Sequence, residues 1–445
     1  VSAPLVEIEQ RLNEALSRPT SKEWLTVHVP APLGSLESLL AARPEEVGFV
    51  WAPPDDVQSA AIGTVWSCVP STLPAVREEA AAVLSRLEER GAAPSTRVFG
   101  ALPFLPMKGE ADAISRGLFF IPRWRYLIDG DQAWLSLTLS GNERADEGIR
   151  RALIREGTAL AAALETKRAP SKTTARVLSV DRGDTAAFEA GVATAVADMV
   201  SGRFEKVVLA RSTKVTLDSA PSPVEVLERL AADGGWGNRY ALRLPSGSYV
   251  ALMPERLVQL RGKAVTSEAL AGTVEAQEGA AREWLAASRK DAIEHGWVVR
   301  AIAETLDKVC VRLSVPERPG MRALRHVIHL LTPIEGELRE PGHVLALVEA
   351  LHPTPAVGGT PQDTALSWIE SHEPEQRGLY AGPCGWFDAA GDGDFWVALR
   401  GGYLRGSTAV AWSGVGLVRD SNPAAELHET EVKQRGFLRA VGVAP

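Results

Sequence analysis

Residues 204–211 read FEKVVLAR. Taken as a strand, Lys206 shares a face with Val208 and Ala210, while Val207 and Leu209 line the other. Both faces are apolar, and a strand of that kind is buried on both sides. The fold must therefore cover it with further layers. A lysine in such a strand either snorkels to water at its end or sits in a polar pocket, tuned to act as a base near neutrality. LMPERLVQL (252–260) repeats the theme with Glu255, placed after a proline where the chain enters another strand.

The remaining segments supply the layers. VGFVWAPP, AIGTVWSCV, RVFGALPFLP, GLFFIPRWRYLI and AWLSLTL read as strands, β-branched and aromatic and broken by Pro or Gly. PAVREEAAAVLSRLEERG and ADEGIRRALIREGTALAAALE read as helices between them. A polar, basic stretch at 165–184 is the best candidate seam, separating an N-terminal region (1–180) from a C-terminal region (186–440). Beyond it, TAAFEAGVATAVADMVSG reads as a helix, and EKVVLARSTKVTL, YALRLPSGSYVALM and ERLVQLRGKAVT read as strands. Residues 283–308 predict one long helix, with Trp284, Leu285, Trp297, Ala301 and Ile302 near its buried side. Near the end, LYAGPCGWFD and DFWVALRGGYL flank a turn, and STAVAWSGVGLV leads into a last helix. The fold class is α+β, or mixed α/β, with sheets in layers.

Composition narrows the function. A chain of 445 residues, 45% hydrophobic and 23% charged, is an ordinary globular enzyme-sized protein. A net charge of −8 speaks against nucleic-acid or membrane-surface partners. Cys68, Cys310 and Cys384 lie far apart with no CxxC spacing, which fits a reducing compartment. The first residues lack the layout of a signal peptide, and no apolar run reaches membrane length. Cytoplasmic is the expectation.

Several motifs carry little chemistry. DAAGDGD (388–394) lacks the order of a calcium loop and predicts a hairpin turn. In HVIH (326–329) His326 is expected to be structural. GVG (414–416) is a fragment of a phosphate loop without its third Gly or its Lys. In ELHETEVK (426–433), a helix would align Glu426, Glu429 and Lys433 on one face, either as solvated decoration or as a metal and anion site.

Taken in order, FEKVVLAR, PERLVQL with EALAGTV, SRKDAIEHGWVV, ALHPTPAVGGTP, RGLYAGPCGWFD with FWVALR, SGVGLV and ELHETEVK resemble the chorismate-utilising enzymes. The resemblance covers roughly 186–440. ALHPTPAVGGTP resembles the isochorismate synthase branch, and RVFGALPF is similar to its menaquinone-type members. The resemblance implies one large layered β-sandwich with helices outside, in which the N-terminal strands join and the seam is a loop.

It also implies roles. Lys206 matches a general base for water, and Glu255 a general acid at the ring C4 hydroxyl. Glu294 and Glu429 match Mg²⁺ ligands, with Glu426 close enough to hold metal-bound water. Tyr380, Arg400 and the backbone of Gly414 to Gly416 match an enolpyruvyl carboxylate pocket. Lys433 matches a lysine near metal and carboxylate, Gly272 and Thr273 the turn under the ring, and His329 a histidine beside the substrate. Ala271 stands where aminodeoxychorismate synthases carry a nucleophilic lysine, so covalent amine transfer is disfavoured. The implied activity is Mg²⁺-dependent conversion of chorismate to isochorismate, feeding menaquinone or siderophore synthesis. Salicylate synthase and an inactive chorismate-binding subunit are the alternatives. No glutaminase partner is implied, and a monomer or dimer is expected.

Overall fold

In the computed structural model the strand Lys206–Leu217 is the anchor its pattern requires, with Lys206 to Arg211 all buried. Thr408–Leu417 pairs antiparallel along one edge. Val177–Asp181 and Gly359–Thr360 occupy the other. The structure describes residues 3–166, 175–233, 235–276 and 280–444, so the middle of the basic seam lies outside the described residues.

From this anchor, antiparallel ladders run through Gly401–Arg405, Gly247–Met253, Asn238–Leu244, Gly48–Ala52, Gln58–Cys68 and Leu118–Asp129. They continue through Val98–Ala101, Pro383–Phe387, Gly393–Val397, Arg256–Arg261 and Ala264–Glu275 to Val327–Leu338. N-terminal strands are thus inserted between C-terminal ones in a single connected sheet.

That sheet folds over on itself. Phe49 and Phe99 are three ladder steps apart, about 14 Å in a flat sheet. Their ring centroids lie 4.7 Å apart. Alternation then sorts side chains into two cores: Phe49, Trp51, Tyr240 and Leu242 face the interior between the layers, and Val50, Ala52 and Ala241 face outward. The outward face is sealed by Leu12, Leu39, Leu160 and Leu227 from four helices. Each such leucine contributes about 1.5–3 kcal/mol on burial, so these helices are held by packing against the sheet. The class is mixed α/β, as expected.

Some local expectations are corrected. The helix from Leu73 ends at Leu84, and Leu87–Arg90 is a strand paired in parallel with Trp24–Pro30. The predicted long helix at 283–308 is two, Ala281–Ala287 and Arg289–Asp307, because the Ser288 side chain accepts from Asp291 N–H and starts a new helix. Leu285 and Ile302 are buried, but Trp284 is 56% exposed. Trp24–Pro30, Cys310–Ser314 and Val327–Leu338 are strands the pattern did not single out. His326 is structural: its Nε2 is 2.9 Å from Asp233 Oδ2. DAAGDGD is a hairpin turn closed by Asp388 N–H on Asp392 O, and GVG lies within a strand.

Candidate active site

The two ends of the curled sheet meet. Val208, Gly414 and Gly416 from one end and Leu270 to Thr273 from the other line one cavity of about 640 Å³, open at its mouth. Glu255, Glu294, His329, Tyr380, Arg400 and Lys433 complete its charged and polar wall. Ten of the thirteen predicted site residues therefore line one space. Lys206, Glu426 and Glu429 lie just behind it.

Lys206 is wholly buried, and its Nζ lies 3.2 Å from Glu294 Oε1. Among the described residues no acceptor meets its N–H groups in hydrogen-bond geometry. A sealed amine with unfilled donors is costly, and such groups mark places where a ligand or water completes the set. Gly416 makes the contact possible. A Cβ there would stand 2.0 Å from Glu294 Oε1 and 2.8 Å from Lys206 Cε.

Glu255 follows Pro254 into the strand Arg256–Arg261 and is 2% exposed. Burial, then the like charge of Glu268, push its carboxyl up to about 8 against the pull of Lys206 and Arg322. Near neutrality it carries its proton. Glu268 itself is clamped by Arg322 at 2.6 and 2.9 Å.

Glycine makes the opposite wall. The ladder between Ala264–Glu275 and Val327–Leu338 skips a residue between Ala271 and Thr273. Gly272 fills the bulge at φ +75°, a conformation open to glycine. Thr273 Oγ1 is 3.0 Å from His329 Nδ1, and His329 Nε2 is 2.8 Å from Arg400 Nη2. A guanidinium only donates, so His329 Nε2 accepts and Nδ1–H donates to Thr273. Burial, then Arg400 and Lys433, hold His329 far below the usual histidine range, so it is neutral. Arg400 sits at φ +54°, between two strands, where its guanidinium turns into the cavity. Tyr380 stacks on Trp412 at 5.5 Å.

The last helix, Pro423–Ala440, carries the acidic stripe. Lys433 Nζ reaches Glu429 Oε1 at 2.7 Å and Gly414 O at 2.9 Å. Lys290 reaches Glu426 Oε1 at 2.5 Å. Burial works against ionisation of Glu429, but Lys433, Lys290 and Arg400 outweigh it and hold the carboxyl below the usual range. Burial and the neighbouring Glu429 push Glu426 up, and its Oε2 has no partner among the described residues. The two predicted metal ligands, Glu294 and Glu429, and Glu426 beside them are thus each met by their own lysine. Among the described residues no three His, Cys, Asp or Glu side chains stand together as a ready-made metal cage.

Sequence reasoning missed Trp412, Arg377, Ala356 and Val357, which also line the cavity. Trp412 was findable, since it shares a strand face with Gly414 and Gly416. Arg377 was not: it braces the wall through Glu373, Val357 O and Val208 O, contacts that only tertiary structure brings together.

The isochorismate synthase MenF of Bacillus subtilis (strain 168) is 32% identical over 360 residues, covering 78% of this chain and 74% of that protein. The salicylate biosynthesis isochorismate synthase of Pseudomonas aeruginosa is 42% identical over 263 residues, 57% of this chain; the match spans 55% of that protein, about half its length. The solved structure of MenF, the menaquinone-specific isochorismate synthase from Escherichia coli, superposes with a TM-score of 0.82 at 25% identity, covering 98% of this chain and 99% of that one. Anthranilate synthase component I from Streptococcus pneumoniae, at 19% identity and a TM-score of 0.69, shares the fold. Residues 11–442 match the family described as Chorismate binding enzyme, and this chain belongs to it.

Proposed function

We propose that this chain converts chorismate to isochorismate. The observation that carries the reading is one cavity served by a sealed lysine amine, Lys206, and by a carboxyl held protonated, Glu255. Lys206, as the base, takes a proton from water as the oxygen bonds to ring C2. The ring double bonds shift, the C4–O bond breaks, and Glu255 gives its proton to the departing hydroxide. Water enters and water leaves, so the reaction is an isomerisation. Arg400 and Tyr380 receive the enolpyruvyl carboxylate, the former by two parallel N–H bonds.

Mg²⁺ fits as cofactor. The partnerless Glu426 Oε2 and the crowding of Glu426 against Glu429 are what a divalent cation relieves. Glu294 and Glu429 would bind it, with Glu426 holding its water. When bound, it would neutralise the ring carboxylate and fix the ring in place. Lys206, Lys290 and Lys433 balance the same carboxylates otherwise.

Ala356 and Val357, from the block that resembles isochorismate synthases, line the cavity and favour this reading over salicylate formation. The product would feed menaquinone or a catecholate siderophore. Three free cysteines, and the lack of any membrane-length apolar helix among the described residues, fit a cytoplasmic setting. The test is incubation with chorismate and Mg²⁺ followed by chromatography. Isochorismate without pyruvate supports the proposal. Salicylate with equal pyruvate makes the chain a lyase as well, and thermal stabilisation by chorismate without turnover makes it a binding subunit.

A further inference from the structure

Asp291 takes no part in that reaction, yet it joins the helix that carries Glu294 to the opposite wall of the cavity. It lies one turn before Glu294 on Arg289–Asp307, and both are buried. Its Oδ1 accepts the backbone N–H of Thr273 at 3.0 Å, a donor that the bulge at Gly272 has turned out of the ladder. Its Oδ2 accepts from the Ser288 hydroxyl, while Ser288 Oγ accepts from Asp291 N–H at 3.3 Å. The helix and the bulge are pressed together: a Cβ on Gly272 would lie 3.0 Å from Asp291 Cβ.

The contacts continue without a gap. Thr273 Oγ1 accepts Nδ1–H of His329, and His329 Nε2 accepts a hydrogen bond from Arg400 Nη2. Because His329 donates to Thr273, the Thr273 hydroxyl hydrogen is free to point elsewhere, and Thr273 lines the cavity. Its polarity toward a bound anion is therefore set as a donor. A wall built from five side chains in series is only as fixed as its buried end.

We propose that Asp291 is a positioning residue: by holding the Thr273 backbone it fixes the Thr273 hydroxyl, the His329 tautomer and the Arg400 guanidinium as one anion-receiving wall. It acts through these groups and does not touch substrate. The kinetic part of the proposal rests on the chorismate reading; the structural part stands alone.

The test compares Asp291→Ala and Asp291→Asn in the full chain. Asparagine keeps the Oδ1 acceptor; alanine removes it. The alanine variant should raise KM for chorismate roughly 10- to 100-fold with a smaller change in kcat, and the asparagine variant should largely restore it. Independently of catalysis, hydrogen exchange at the Thr273 amide should quicken in the alanine variant. The ¹⁵N shifts of His329 should change there from a single Nδ1–H tautomer to a mixture. A folded alanine variant with wild-type KM, wild-type exchange and an unchanged tautomer overturns the proposal. Should Asp291→Ala fail to fold, Ser288→Ala must give the same shifts, smaller in size; unchanged values there overturn it equally. If the wild type leaves chorismate untouched, the function fails while the exchange and ¹⁵N readouts still decide Asp291.

Discussion

Glu255 and Glu429 are the same side chain serving the same cavity, and their surroundings drive them in opposite directions. Glu255 is 2% exposed, with Glu268 as its strongest charged influence and no cation of the described residues in hydrogen-bond reach; it is pushed up to about 8. Glu429 keeps 23% side-chain exposure and has Lys433 at 2.7 Å; it is held below the usual range. What differs is a cation within bonding distance. At Glu255, burial and a neighbouring carboxylate leave a proton donor, while at Glu429 Lys433, Lys290 and Arg400 together outweigh burial and leave an anion.

Breaking the acid–base half of this contrast should cost most. Lys206→Ala should lower chorismate turnover by about 10³- to 10⁴-fold, measured as isochorismate formed per unit time. Near-normal turnover would remove Lys206 as the base.

Glu255→Gln should cost about 10²- to 10³-fold in kcat, and its pH profile sharpens the comparison. Glu255 acts as an acid only when protonated, so wild-type activity should fall as pH rises through about 8. Stability carries the same sign. The folded value lies above the ordinary 4.5, so the folded chain holds an extra proton between the two values. The stabilisation linked to that proton is complete below 4.5 and lost as pH rises to about 8. Glu255→Gln stays neutral throughout, so thermal melts should place it above wild type at pH ~9 and level with it near pH ~4, the two sides of that window. Equal melting at both would contradict the buried, neutral acid.

Gly416→Ala probes the seam between the halves. A methyl group 2.0 Å from Glu294 Oε1 must displace that carboxylate from Lys206. The expected loss is on the order of 10²-fold in kcat/KM with melting temperature nearly retained. Glu429→Gln, on the anionic side, should show the smallest effect on kcat, with a Mg²⁺ requirement raised about 10- to 100-fold in an activity titration. An unchanged requirement would count against the metal site on the last helix.

Much of this is legible in the amino-acid order. FEKVVLAR declares a buried strand with a charge inside it, and the family-like blocks carry nine of the ten predicted residues that surround one cavity, His329 being the exception. The acidic stripe on the last helix is visible as spacing, but spacing does not separate solvated decoration from a ligand set. Lys290 and Lys433 settle that Glu426 and Glu429 each have their own cation. The break at Ser288 is hidden because an apolar stripe runs through it. A single serine hydroxyl capping Asp291 N–H ends one helix and begins the next.

The sequence by itself determined which strands are buried, which residues bear charge inside them and which family the chain resembles, because periodicity and residue type are local properties. Only the tertiary structure decided what each charge does. Whether a glutamate keeps its proton depends on cations and carboxylates drawn from distant segments, such as Glu268 beside Glu255 and Arg400 beside Glu429, and the folded sheet alone brings these within electrostatic reach.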